Sequence, residues 1–204
     1  MAIHKLNSSD TSGRSKIVYN VLSSWGSHLI FVIAGFIMPR MINDHVGQVS
    51  LGIWDFCWTI VNYFYLSNIG VASSINRYIA NSHAKNDIDG LRTVISSVII
   101  LQIIMALLVL LCTGLVFYFL PLFFSDQLGE QLETTRWVIL LLGCSLAYQM
   151  AFDTSRGVLT GYHRWDLHNG LTAISYVITT TLMIAALVMG EGLLALSGVY
   201  LFMT

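Results

Sequence analysis

Between Thr93 and Ser125 the chain runs for 33 residues without an aspartate, glutamate, lysine or arginine. A charge at mid-bilayer costs at least ~2.5 kcal/mol, and ~20 apolar residues of helix cross the hydrocarbon core. The gaps between successive charges therefore measure candidate crossings. Uncharged runs fall at Ile17–Pro39, Phe56–Asn76, Thr93–Ser125, Trp137–Phe152, Leu167–Gly190 and Gly192–Thr204. The first, second, third and fifth are each long enough to cross at ~1.5 Å rise per residue. The fourth reaches crossing length by continuing through Asp153 and Arg156 to about Gly161, and the sixth is marginal or truncated. This predicts an all-α membrane protein, a polytopic bundle of about six transmembrane helices. A polar N-terminal segment at 1–16 precedes a bundle at 17–204, with helices near 17–39, 51–76, 93–120, 137–161, 167–190 and 192–204.

Composition excludes the main alternatives. Charged residues make up 10% of the chain, against roughly 25% in a soluble domain. Ten Lys+Arg balance eleven Asp+Glu, so no basic excess serves a nucleic acid. The two prolines, Pro39 and Pro121, fall at the ends of the first and third runs, where a helix loses a backbone donor at little cost. Trp54, Trp58, Tyr118, Trp137, Trp165 and Tyr200 lie near predicted helix ends, the position of interfacial aromatics. The first run is too long for a signal-peptide core and no small-residue cleavage site follows it. With the N-terminus in the cytoplasm, eight Lys/Arg lie inside and only Arg40 and Arg136 outside, a positive-inside asymmetry. Asp126–Glu133 then forms an acidic external loop. Cys57, Cys112 and Cys144 sit inside spans without C-x-x-C spacing and read as buried free thiols.

Several helices carry a polar stripe. In the second, Asp55, Thr59, Asn62, Ser73 and Arg77 recur at sums of three and four residues, which places them on one face. The fourth repeats this with Ser145, Gln149, Asp153, Arg156, Thr160 and His163, and the fifth with His168, Thr172, Ser175 and Thr179. The first has Asn20, Ser24 and Ser27 beside His28. Ile103–Cys112 in the third is wholly apolar and faces lipid. Two readings stand. Ser, Thr and small residues, including Gly157-x-x-x-Gly161, can be glue between helices. Alternatively the stripes line a water-filled cavity, the usual setting of ionisable groups in a membrane. Asp55, Asn62, Asp153 and Arg156 favour the cavity, because amides and charges are costly in a dry contact. Asp153 and Arg156, three apart, also suit mutual neutralisation, and Arg40 and Arg77 suit snorkelling to headgroups. Asn62, near mid-bilayer, is the leading lumen-facing hydrogen-bonding candidate. For His28 a hydrogen-bonded packing role stands beside a proton relay.

No catalytic signature is present: no H-E-x-x-H, G-x-S-x-G, P-loop or G-x-G-x-x-G occurs. His163 and His168 lie five apart, poor spacing for a shared metal, and Asp87-Ile88-Asp89 reads as a solvated loop turn. The expectation is a non-enzyme without cofactor or metal.

The stretch Pro39-Arg40-Met41-Ile42 … Gly47 … Leu51-Gly52-Ile53-Trp54 … Asn68-Ile69-Gly70-Val71 … Asn76-Arg77-Tyr78-Ile79-Ala80 resembles the polysaccharide flippases, translocases of O-antigen and lipid-linked oligosaccharide. That family shares a superfamily with the multidrug and toxic-compound extruders. Arg156-Gly157-Val158-Leu159 … Gly161-Tyr162-His163-Arg164-Trp165 is a second similar patch. The resemblance implies twelve or more helices in two bundles around a central cavity, in a bacterial inner membrane. It implies alternating access driven by an ion gradient, with a lipid-linked oligosaccharide passing to the outer leaflet. Lumen cations would handle the pyrophosphate, and Arg77 and Arg156 match by position; Asp55, Asn62 and Asp153 come from the stripes alone. The chain covers about one bundle, so it is read as a fragment or as the partner of a second half-bundle, alongside polysaccharide assembly proteins. A drug or metabolite exporter of the same fold and a non-transporting scaffold are the alternatives.

Overall fold

The computed structural model describes residues 7–66, 88–161 and 164–204, with side chains from residue 21 onward (those of 88 and 161 excepted). Six α-helices are found among these residues: α1 Asn7–Val46, α2 Gln48–Tyr65, α3 Ile88–Leu128, α4 Leu132–Gly161, α5 Trp165–Val188 and α6 Leu193–Met203. A 3-10 turn, Gly129–Gln131, joins α3 to α4. No strand occurs among the described residues. The molecule is an all-α helical bundle. Three stretches are long and apolar enough to cross a membrane: Val21–Val46, Asp89–Thr160 and Trp165–Val188. The second folds back on itself at the 3-10 turn and so contains both α3 and α4. At 11 residues, α6 is ~16 Å long, short of a full crossing.

Both prolines lie inside helices, not at their ends. α1 continues past Pro39 to Val46, and α3 past Pro121 to Leu128. In hydrocarbon a broken helix exposes backbone groups that nothing can satisfy, so continuing through a proline is the cheaper solution. Arg40 and Asp44 pair at 3.6 Å on the last turns of α1, and the His45 ring lies 3.0 Å from the Met41 carbonyl. Asp89 stands in the first turn of α3 and not in a loop; Thr93 donates to its carbonyl at 2.9 Å. Asp87 lies outside the described residues.

Each described connection at one end of the bundle turns on a glycine with positive φ: Gly47 at 97°, Gly129 at 48° and Gly190 at 85°. At Gly190 the cause is visible. The Gly190 and Glu191 amides donate to the Leu187 and Ala186 carbonyls, each at 3.0 Å, the double bond of a Schellman cap that requires a left-handed residue.

The helices close into a ring of neighbours. α1 packs on α2 and α5, α2 on α4, α4 on α6, and α6 on α5, while α3 lies outside against α4. α4 also touches α5, and it supplies much of the core through Val138, Ile139, Leu142, Leu146, Ala147 and Met150. The apolar stretch of α3 is largely exposed, including Ile103, Ile104, Leu107 and Leu111, while Ala106 and Val109 face inward. Lipid is as apolar as leucine, so that exposure costs nothing and tight packing must come from shape and polar contacts.

The α3–α4 contact has both. Arg136 on α4 stacks over the Phe117 ring at 4.3 Å and donates from Nε to the Phe117 carbonyl at 3.1 Å. Deeper in, Thr154 donates to Gln102 Oε1, and Gln102 is 1% exposed. Gln102 Nε2 finds no hydrogen-bond acceptor among the described residues. Thr154→Val is therefore expected to cost about 1–3 kcal/mol, because it leaves the buried amide wholly unpaired. Gln102→Leu removes the orphan with its partner and is expected to stay within about 1 kcal/mol of the parent. Melting in detergent orders the two; equal losses would contradict this accounting.

Candidate functional site

Two stacked cavities lie inside the ring, and α2 passes both. Its successive inward positions give their order: Trp54 and Asp55 face the first cavity, Trp58 faces both, and Asn62 and Tyr65 face the second. These residues follow one another at one, three or four positions, the repeat of a single helical face. The polar stripe of α2 is thus interleaved with aromatic rings.

The first cavity, about 330 Å³, is completed by Gly35, Met38 and Pro39 of α1 and by Tyr176, Thr179, Thr180 and Met183 of α5, with Tyr200 of α6 at its floor. Its carboxylate is Asp55, which is exposed. The second, about 180 Å³, is completed by Leu142, Leu146, Gln149 and Arg156 of α4, and Tyr200 again faces it. Trp58 and Tyr200 meet edge to face with centroids 4.9 Å apart, and Gln149 Nε2 donates to Tyr200 Oη at 3.2 Å. Trp54 meets Trp58 edge to face in turn, with centroids 6.0 Å apart.

Arg156 Nε lies 3.2 Å from Asp153 Oδ1; the arginine side chain is 47% exposed and the aspartate 9%. The pair is one turn apart on α4, so Asp153 is neutralised within its own helix while the guanidinium reaches the second cavity. Of the residues singled out from sequence, Asp55 lines the first cavity and Asn62 and Arg156 the second, with Asp153 behind Arg156. Arg77, Ser73 and His163 lie outside the described residues.

The stripes divide between two uses. Toward the start of α5, Asn169 donates from Nδ2 to Ser24 Oγ at 2.7 Å, and Ser27 Oγ donates to the Asn169 carbonyl at 3.2 Å. That part of α1 is helix glue. Ser145 is fully buried and donates to its own helix at the Leu141 carbonyl, 2.9 Å away. His28 is exposed and stands 6.2 Å from Phe31, which packs on Tyr176. Among the described residues no three His, Cys, Asp or Glu side chains gather as a metal site, and the three cysteines are free thiols.

Three of the six aromatics expected at the interface face the cavities instead: Trp54, which is 7% exposed, Trp58 and Tyr200. Tyr118, Trp137 and Trp165 are exposed. Trp58 could have been placed by its spacing, three from Asp55 and four from Asn62. Tyr200 could not, because only helix packing brings it to Trp58.

The MatE family model matches residues 24–185, about four-fifths of the chain. No curated protein and no solved structure matches it. The match takes in both cavity-bearing faces of α2 and α4 and most of α5, and by it the chain belongs to the MatE family, whose members are membrane transporters.

Proposed function

We propose that this chain forms part of a flippase that moves a lipid-linked oligosaccharide from the inner to the outer leaflet of a bacterial inner membrane by alternating access, with its N-terminus in the cytoplasm. The supporting observation is the lining of the two cavities: the rings of Trp58, Tyr65, Tyr176 and Tyr200 stand among the hydroxyls of Thr179 and Thr180 and the amides of Asn62 and Gln149. A sugar presents apolar C–H faces and hydroxyl edges, and both find partners there. In hydrocarbon each unsatisfied polar group costs several kcal/mol, so the interior must supply hydrogen bonds throughout the passage. Asn62 and Gln149 suit the hydroxyls, Arg156 and Arg77 the pyrophosphate, and Asp153 orients Arg156. The two motif patches at residues 39–80 and 156–165 point to the same substrate class. Movement of the opening would come from rocking this bundle against a second one.

A second reading rests on the first cavity alone. Asp55 stands there among Trp54, Trp58, Tyr176 and Tyr200, a setting that suits an organic cation and hence a drug or metabolite exporter. Full-length protein in proteoliposomes separates the two. The expected result is protein-dependent movement of a fluorescent polyprenyl-pyrophosphate oligosaccharide, read as lectin accessibility on the opposite leaflet. Absence of that movement together with extrusion of ethidium would select the exporter.

A further inference from the structure

The two cavities meet at a pair of aromatic rings. Trp58 and Tyr200 line both, touch edge to face at 4.9 Å, and Gln149 holds the tyrosine by its hydroxyl at 3.2 Å. Each ring comes from a different helix, α2 and α6, and the clasp from a third, α4. On one side stands the Asp55 carboxylate and on the other the Arg156 guanidinium, which is paired with Asp153. We propose that Trp58 and Tyr200, latched by Gln149, form an internal threshold that divides the transport path into two compartments, one holding Asp55 and the other Arg156, and sets the size of what crosses between them. The threshold rests on the polar-lumen reading above, but its test needs no knowledge of the natural substrate.

Trp58 meets Trp54 at 6.0 Å, Tyr200 accepts a hydrogen bond from Gln149 at 3.2 Å, and both rings pack against the buried core. Tyr200 is the ring on which the Gln149 latch acts. Losing the Gln149 bond frees the ring to swing, and removing the ring leaves an opening between the compartments. Tyr200→Phe keeps the ring and loses only the latch; Gln149→Leu does the same from the other partner.

The experiment uses full-length protein in sealed vesicles, with Cys57, Cys112 and Cys144 replaced by serine. Single cysteines are placed at Thr180→Cys, for the Asp55 compartment, and Asn62→Cys, for the Arg156 compartment. The probe is a membrane-impermeant trimethylammonium methanethiosulfonate, added from one side at a time. With Tyr200 in place, each cysteine is expected to label from one side only, and from opposite sides. Tyr200→Ala is expected to raise labelling from the forbidden side about tenfold, and Tyr200→Phe and Gln149→Leu by less, because the ring contact alone remains. Equal labelling of both cysteines from both sides before any change to Tyr200 overturns the threshold and leaves the lumen standing. An unchanged rate in Tyr200→Ala does the same. No labelling of either cysteine in any background overturns the lumen itself, and the threshold with it.

Discussion

Gly143→Ala is expected to destabilise the bundle, although glycine to alanine in a helix ordinarily gains up to about 1 kcal/mol. Gly143 is buried in α4 where α3 passes closest, and a Cβ there would run into the side chain of Thr113. Thr113 is itself fully buried, so it has nowhere to move. Overpacking of this kind costs about 1–3 kcal/mol, and Gly143→Leu should fall at or beyond the upper end. The same contact predicts its own rescue. Thr113→Ala removes the two outer atoms that the new Cβ meets, and Thr113→Gly removes all of them. The Gly143→Ala/Thr113→Gly protein should therefore melt closer to the parent than the sum of the single changes allows. Membrane yield and melting temperature in detergent measure this; strict additivity would show that the two residues do not meet.

Arg156→Ala is expected to be the most damaging change to transport, with membrane insertion preserved. It removes the cation of the second cavity and also breaks the ion pair to Asp153, which is 9% exposed. Truncating one member of a desolvated pair costs about 2–5 kcal/mol in well-buried cases; the half-exposed guanidinium places this one toward the lower end. The two contributions separate in Arg156→Ala/Asp153→Asn, which has no carboxylate at position 153. If Arg156 holds an anionic group of the substrate, stability returns in the double variant and transport does not. Recovery of transport would assign Arg156 to charge neutralisation alone. Surface polysaccharide assembly in cells and leaflet transfer in proteoliposomes are the readouts.

The interior polar residues show where inference from spacing reaches its limit. Asp55, Asn62, Gln149 and Arg156 were placed on helix faces by a period of 3.6 residues, and those faces border the cavities. The same period put Ser24 and Ser27 on a stripe, yet they are engaged with Asn169 between α1 and α5. A hydroxyl serves a lumen or a helix contact equally well, so its chemistry cannot separate the two. Gln102 has no periodic polar neighbour in its long apolar run and so belongs to no stripe; it is buried against Thr154. The prolines misled for a related reason. Their position in the chain suggests helix ends, but the cost of an open backbone in lipid carries both helices onward.

What the amino-acid order settled unaided is the solvent. Long uncharged runs can only be helices in a bilayer, because hydrocarbon offers a backbone no hydrogen bonds, and that holds whatever the neighbours are. What the tertiary structure alone decided is which side of each helix meets lipid, which meets another helix and which meets the interior. Trp58 and Tyr200 are 142 positions apart, and no local preference relates them. Their contact exists because α4 and α5 hold α2 and α6 in one ring.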